Sequence, residues 1–283
     1  MHRREFIVLG ASGILATSLR RRQSDIEAIE KSVGGRLGFM ARELEGGAML
    51  TWRADERFPM CSTFKWLLVA RVLARVDDGH EELARSIHYT EADLLEYAPI
   101  TRAHVNEGHM SVSDLCAAAI QYSDNTAANL LLATIGGPGG LTRWLRSIGD
   151  RVTRLDRNEP GLNTSIPGDE RDTTTPRAMT RDLGVLLPDV GVLHSSRRLV
   201  DWMIGNTTGN ARLRAGLPPD WHVADKTGTG ANGSTNDVAI AWPGNGEGPA
   251  VVMAAYLTET TAPDDARSQA LAELGRLVGR WAR

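Results

Sequence analysis

Strand-like and helix-like patterns are segregated along this chain, with the β patterns near its two ends and the helical ones between. Near the start, Arg36 to Glu43 and Ala48 to Arg53 are β-like stretches separated by Gly46-Gly47, which predicts a hairpin. Near the end, Trp221 to Lys226, Asp237 to Trp242 and Val251 to Leu257 predict three more strands. From Phe64 to about Ile204 the periodicity is helical and strand signals are few. Ser24-Asp25-Ile26-Glu27 has capping-box spacing and leads into Ile26, Ile29 and Val33 at helical intervals, and a last helix is predicted from about Asp264 to Trp281. The pattern predicts an α/β (α+β) protein. Its antiparallel five-stranded sheet draws strands from both chain ends, is flanked by helices and abuts an inserted all-helical lobe. Residues 24–60 plus 206–283 are expected to form the α/β lobe and residues 61–205 the helical lobe. Two crossings between lobes create a cleft, the favoured place for a small-molecule site. Gly136-Gly137-Pro138-Gly139-Gly140 follows an apolar helix and lacks a Lys-Ser or Lys-Thr tail, so it is read as a helix-to-helix turn rather than a phosphate loop.

With 283 residues, 42% of them hydrophobic, the chain can bury a substantial core. A net charge of -3 with scattered arginines gives no basic stripe, which argues against nucleic-acid binding. Residues 1–23 read as an export signal: Arg3-Arg4-Glu5-Phe6-Ile7, an apolar run to Ala16, then small residues at Ala16-Thr17-Ser18. The paired arginines resemble a twin-arginine leader, implying a periplasmic or extracellular destination. The apolar run is about half the ~20 residues needed to span a bilayer, so no stable membrane anchor is expected.

Four short motifs stand in order within this frame: Ser62-Thr63-Phe64-Lys65, Ser123-Asp124-Asn125, Glu159-Pro160-Gly161-Leu162-Asn163 and Lys226-Thr227-Gly228. The chain has only three lysines, Lys31, Lys65 and Lys226, and two lie inside motifs, where an amine of tunable pKa matters. Ser62 opens an apolar helix and Lys65 follows one turn later on the same face, so a hydroxyl and an amine are expected to meet. A serine needs a nearby base to become a nucleophile. Glu159 and Asn163, four residues apart in a polar, proline-broken loop over residues 154–172, could hold one water between them with the carboxylate as general base. His80-Glu81-Glu82-Leu83-Ala84 starts like a zinc-protease helix but lacks the second histidine, and no metal or other cofactor is expected.

These motifs, with their spacing, resemble the class A serine β-lactamases over roughly residues 24 to 283. The resemblance implies a β-lactamase/D,D-peptidase-like fold and a monomer that opens β-lactams through an acyl-enzyme on Ser62. It implies Ser62, Lys65, Ser123, Glu159 and Lys226 as catalytic residues, with Ser123 passing a proton to the leaving nitrogen. It implies Tyr97, Asn125, Asn163, Thr227, Gly228, Thr229 and Arg212 as substrate-binding residues, and the N–H groups of Ser62 and Thr229 as oxyanion donors. Asp124 would hold its loop in shape, and Arg154, Asp156, Arg157 and Asp172 would pin the 154–172 loop, where Gly161 replaces the family's Glu. Cys61 and Cys116 are expected to stay unpaired, because Val69 and Gly230 stand where relatives supply partner cysteines. Penicillins and early cephalosporins are the expected substrates, and carbapenems are left open. A D,D-peptidase or a non-hydrolysing β-lactam sensor shares most of these motifs, but Glu159 to Asn163 conflicts with both.

Overall fold

The computed structural model describes residues 22–187, 193–244 and 249–282, so the leader, apart from its last two residues, lies outside the described residues. Helix α1 (residues 22–33) leads into β1 (Arg36–Glu43), β2 (Met49–Trp52) and the short β3 (Phe58–Pro59). The middle of the chain then gives α2 (Phe64–Asp77), β4 (Ser86–His88), α3 (Pro99–Ala103), β5 (His109–Ser111), α4 (Val112–Gln121), α5 (Asn125–Thr134) and α6 (Gly137–Ser147). After a long loop come β6 (Thr173–Thr174), α7 (Pro176–Leu186), α8 (Ser196–Ile204) and α9 (Leu213–Gly216). Strands β7 (His222–Thr229), β8 (Thr235–Trp242) and β9 (Val251–Thr258) precede α10 (Asp264–Trp281).

The sheet order is β2-β1-β9-β8-β7, antiparallel throughout, so β1 and β2 from one end join β7 to β9 from the other. The two faces of the sheet bury different cores. Along β9, Val252, Ala254 and Tyr256 enter one apolar cluster, while Val251, Met253, Ala255 and Leu257 enter the other. This is the period of two that a strand imposes when both its faces are covered. Ile26 and Ile29 of α1 pack with Leu271, Leu274 and Val278 of α10 on one face. The helices of the middle segment cover the other. Each fully buried aliphatic side chain here contributes about 1.5–3 kcal/mol. Helix α2 is buried on all sides from Phe64 to Ala70, as expected of a central helix with no solvent stripe.

The structure departs from the sequence reading in its short strand pairs and at the glycine run, and β7 runs three residues past the predicted Lys226. The two-stranded pairs β3–β6 and β4–β5 were not expected, since two or three residues are too few to show alternation. The glycine run is not merely a turn: Gly136 caps α6 with φ of 84°, and Gly137 to Gly140 form its first turn around Pro138. A Cβ on Gly140 would lie 2.0 Å from the Ile135 carbonyl oxygen, so glycine permits the tight entry from α5.

Candidate active site

Ser62 lies in a 3-10 turn, Cys61–Thr63, that runs directly into α2. Cys61 ahead of it has φ of 46°, a left-handed conformation that aims the next residue off the end of the helix. Lys65, in the first turn of α2, is fully buried. The hydroxyl and the amine come together through a third group: Glu159 Oε1 accepts from Ser62 Oγ at 3.2 Å and from Lys65 Nζ at 3.0 Å. On the other oxygen, Glu159 Oε2 accepts directly from Asn163 Nδ2. These two side chains are thus in direct contact, and Asn163 Oδ1 is buried without a protein donor. Burial pulls the Lys65 pKa down, against the opposing pull of Glu159.

Ser123 faces this group from the turn between α4 and α5, again with a left-handed φ, here 57°. Its hydroxyl accepts from Lys226 Nζ at 3.0 Å and lies 3.4 Å from Lys65 Nζ. Lys65 Nζ also donates to the Ser123 carbonyl at 2.7 Å and to Asn125 Oδ1 at 2.6 Å. Two buried ammonium groups thus converge on one hydroxyl. Burial, and then repulsion from Lys65, holds the Lys226 pKa well below the usual lysine range. Between the two motif partners, Asp124 is fully buried and ties α3 to the start of α5. It caps α5 through Ala127 N and accepts from Ile100 N, Thr101 N and Thr101 Oγ1.

The opposite wall is the edge strand β7, where Lys226, Thr227, Gly228 and Thr229 follow one another. Gly228 lets this strand approach the nucleophile turn, since a Cβ there would lie 2.7 Å from the Met60 carbonyl oxygen. Thr227 Oγ1 lies 2.5 Å from Thr208 Oγ1, which is itself tied to Asn206. Arg212 lies behind the strand, donating to the carbonyls of Gly228 and Asn236 and to Thr229 Oγ1 at 2.7 Å. Burial lowers its pKa, against the pull of Asp237. Tyr97 is 52% exposed, and its carbonyl accepts from Asn125 N.

The 154–172 loop is pinned at its base. Asp172, fully buried, accepts from Asp156 N at 2.7 Å, Arg157 N at 2.9 Å and Arg157 Nε at 2.6 Å, and its carbonyl accepts from Met60 N. One loop residue therefore bridges to the strand just before the nucleophile. The second pair, Arg154 with Asp156, is more exposed. At Gly161 a Cβ would meet nothing within 4 Å, so the missing family Glu leaves open space there.

Sequence reasoning missed Asn129, whose amide donates to the Glu159 carbonyl at 2.9 Å and accepts from Glu159 N at 3.0 Å. A signal existed: Asn129 follows Asn125 by one turn on α5, amid alanines and leucines. Thr208 and Asn206 were missed as well, and no motif marks them. Cys61 and Cys116 are both free and buried, and burial pushes the Cys61 thiol up to about 12. Among the described residues, no group of three or more His, Cys, Asp or Glu could hold a metal ion. Nor, among them, is any helix long and apolar enough to cross a membrane.

The model of the β-lactamase enzyme family matches residues 21–282. The class A β-lactamase of the last common ancestor of Gram-negative bacteria is 55% identical, with a TM-score of 0.90 over 93% of this chain and 99% of that one. An ancestral class A β-lactamase is 54% identical, with a TM-score of 0.89 over 92% and 99%. PenP from Rhodopseudomonas palustris is 47% identical, with a TM-score of 0.89 over 92% and 99%. With these likenesses joined to a buried Ser-Lys-Glu constellation, the chain belongs to the class A β-lactamases and is a hydrolase of β-lactams.

Proposed function

We propose that the enzyme hydrolyses penicillins and cephalosporins in two steps, with an ester on Ser62 between them. In the first step Ser62 Oγ attacks the lactam carbonyl while its proton passes to the Glu159–Lys65 pair. The developing oxyanion is met by the N–H groups of Ser62 and Thr229. The lactam C–N bond breaks as Ser123 gives its proton to the leaving nitrogen, and Lys65 and Lys226, both in contact with that hydroxyl, favour its transient anion until the proton taken from Ser62 passes through Lys65 to Ser123, which leaves Glu159 ionised for the second step. In the second step Glu159 removes a proton from water, and the hydroxide attacks the ester. Asn163 Oδ1, an acceptor with no donor of its own, suits the water's other proton. The ester bond breaks and Ser62 regains its proton.

Lys226, Thr227 and Thr229 would hold the substrate carboxylate, with Arg212 adding charge from behind. Gly228 keeps the strand close enough for that grip. Asn125 and Tyr97 would hold the substrate's amide side chain at the cleft mouth. The helical segment 61–205, carrying the 154–172 loop, and the α/β segment 24–60 plus 206–283 would act as the two walls of the cleft. A monomer suffices for this chemistry, since all the groups come from one chain. Export through the leader's paired arginines fits a substrate met outside the cytoplasm.

The observation that carries this reading is the buried Glu159 Oε1 shared by Ser62 and Lys65, with Asn163 on the other oxygen. The test is turnover of a chromogenic cephalosporin by the protein and by its Glu159→Ala variant, with intact mass recorded for both. The parent should turn over freely while the variant stalls as an adduct on Ser62, with kcat down at least a hundredfold. A parent that accumulates the adduct without turnover would overturn the reading.

A further inference from the structure

Behind the site, two carboxyl groups face each other at the base of the 154–172 loop. Asp150 lies just before the loop, after α6, and Asp182 lies in the second turn of α7, just after it. Both are buried, at 2% and 0% exposure. Asp150 Oδ1 accepts from Val152 N at 2.7 Å and Thr153 N at 3.0 Å, shaping the turn into the loop. Asp182 Oδ1 accepts from Arg181 Nη1 at 2.5 Å. The remaining oxygens, Asp150 Oδ2 and Asp182 Oδ2, are buried and have no donor, and the two side chains lie within hydrogen-bonding reach of each other. Two ionised carboxylates would leave two orphan acceptors in one buried site, a costly arrangement. One proton between them removes both defects.

We infer that Asp182 is a positioning residue for the hydrolytic loop: its carboxyl donates a hydrogen bond to the Asp150 carboxylate and so ties the helix after the loop to the turn before it. The tie rests on the reading of Glu159 as the base of the second step, since this is the loop that carries Glu159. Neighbouring bonds close the same junction. Thr153 Oγ1 meets Thr174 Oγ1 at 2.7 Å, and Arg146 Nη1 donates to the carbonyls of Asp150 and Thr153 at 2.6 and 2.8 Å. The charged and titratable groups facing the pair are Arg181 beside it, Arg146 from α6, Tyr256 from β9 and, against Gly184 on the same helix, Arg42 from β1. Among the described residues, Arg181 supplies the single cation in direct contact with Asp182, one charge for two acids. Burial, and then the Asp150 charge, pushes Asp182 up to about 8. Burial works against the ionised form of Asp150 too, but bonds from Thr153, Asp182 and the Val152 and Thr153 N–H groups hold its pKa below the usual range.

The test compares the full-length mature protein with Asp182→Asn and Asp182→Leu. Asparagine keeps a donor toward Asp150 and an acceptor toward Arg181 but cannot titrate. A native acid that keeps a proton the unfolded chain has given up loses stability as pH rises, tenfold in the folding constant per unit, until it ionises itself. Urea unfolding should therefore show the parent's folding constant falling about a thousandfold relative to Asp182→Asn between pH 5 and pH 8, then levelling. Above pH 8 the parent's kcat should fall while that of Asp182→Asn holds, and Asp182→Leu should accumulate the Ser62 adduct at every pH. If Asp182→Leu does not fold, the asparagine comparison still decides. Folding constants that run parallel from pH 5 to pH 8 overturn the shared proton. Constants that diverge while the two kcat profiles coincide overturn the positioning role. Free turnover by Glu159→Ala would instead remove the assignment of Glu159 and leave the folding comparison untouched.

Discussion

Replacing Asp172 should separate what holds the hydrolytic loop from what acts within it. The side chain is fully buried and accepts three donors, two backbone N–H groups and the Arg157 guanidinium, which is 22% exposed. Asp172→Ala removes all three acceptor contacts and leaves Arg157 without its partner. Hydrogen bonds to charged groups are worth about 1.5–3 kcal/mol each, but water can reach part of the arginine, so the three do not simply add. Breaking a buried pair from one side costs about 3–5 kcal/mol, and the lower half of that range suits this half-screened site. Asp172→Asn keeps one oxygen for the two N–H groups but turns an amide donor toward the Arg157 donor in place of the ion pair, so it should cost about 1–3 kcal/mol. Urea unfolding at pH 7 measures both variants, and intact mass after mixing with a penicillin reports whether Glu159 still clears the ester. The expected order is parent, asparagine, alanine in stability, with adduct accumulating in the alanine variant. An alanine variant within about 1 kcal/mol of the parent would refute the reasoning, because the loop would then be held by something other than Asp172.

Asn129→Ala should cost about 1–3 kcal/mol and lower kcat roughly tenfold to a hundredfold, since the two bonds fixing the Glu159 backbone disappear, and steady-state kinetics with thermal unfolding checks both. Neither Cys61 nor Cys116 should react with a disulfide reagent in the native protein at pH 8, whereas two thiols per chain should appear in denaturant, because burial raises both pKa values and blocks access.

The sheet was legible because its strands are long enough to carry a pattern. The reading of residues 36 to 43 coincides with β1, and Asp264 to Trp281 coincides with α10. Strand β7 was read as ending at Lys226 but continues to Thr229, since Thr227, Gly228 and Thr229 are polar or small and pair with Asp237, Asn236 and Thr235 by backbone alone. The residues of the site were legible as four motifs. Their mutual contacts were not, because Glu159 reaches Ser62 across 97 positions of sequence and no local periodicity encodes that approach. The roles of Asn129 and Asp182 were hidden for a related reason: each acts on a backbone or carboxyl group supplied by a distant segment.

Strand β1 has β2 on one side and β9 on the other, with Arg36 opposite Thr258. During synthesis the β1–β2 hairpin therefore emerges with the inner edge of β1 still bare, and the strand that covers it is made about 200 residues later. At ~5–20 residues per second that interval is on the order of 10–40 s. The ribosome must make the chain through β9 before the sheet can close. A two-stranded ribbon is marginal alone and its open edge is a template for mispairing. In the cell the protein's yield should therefore depend on whatever shields the hairpin while it waits.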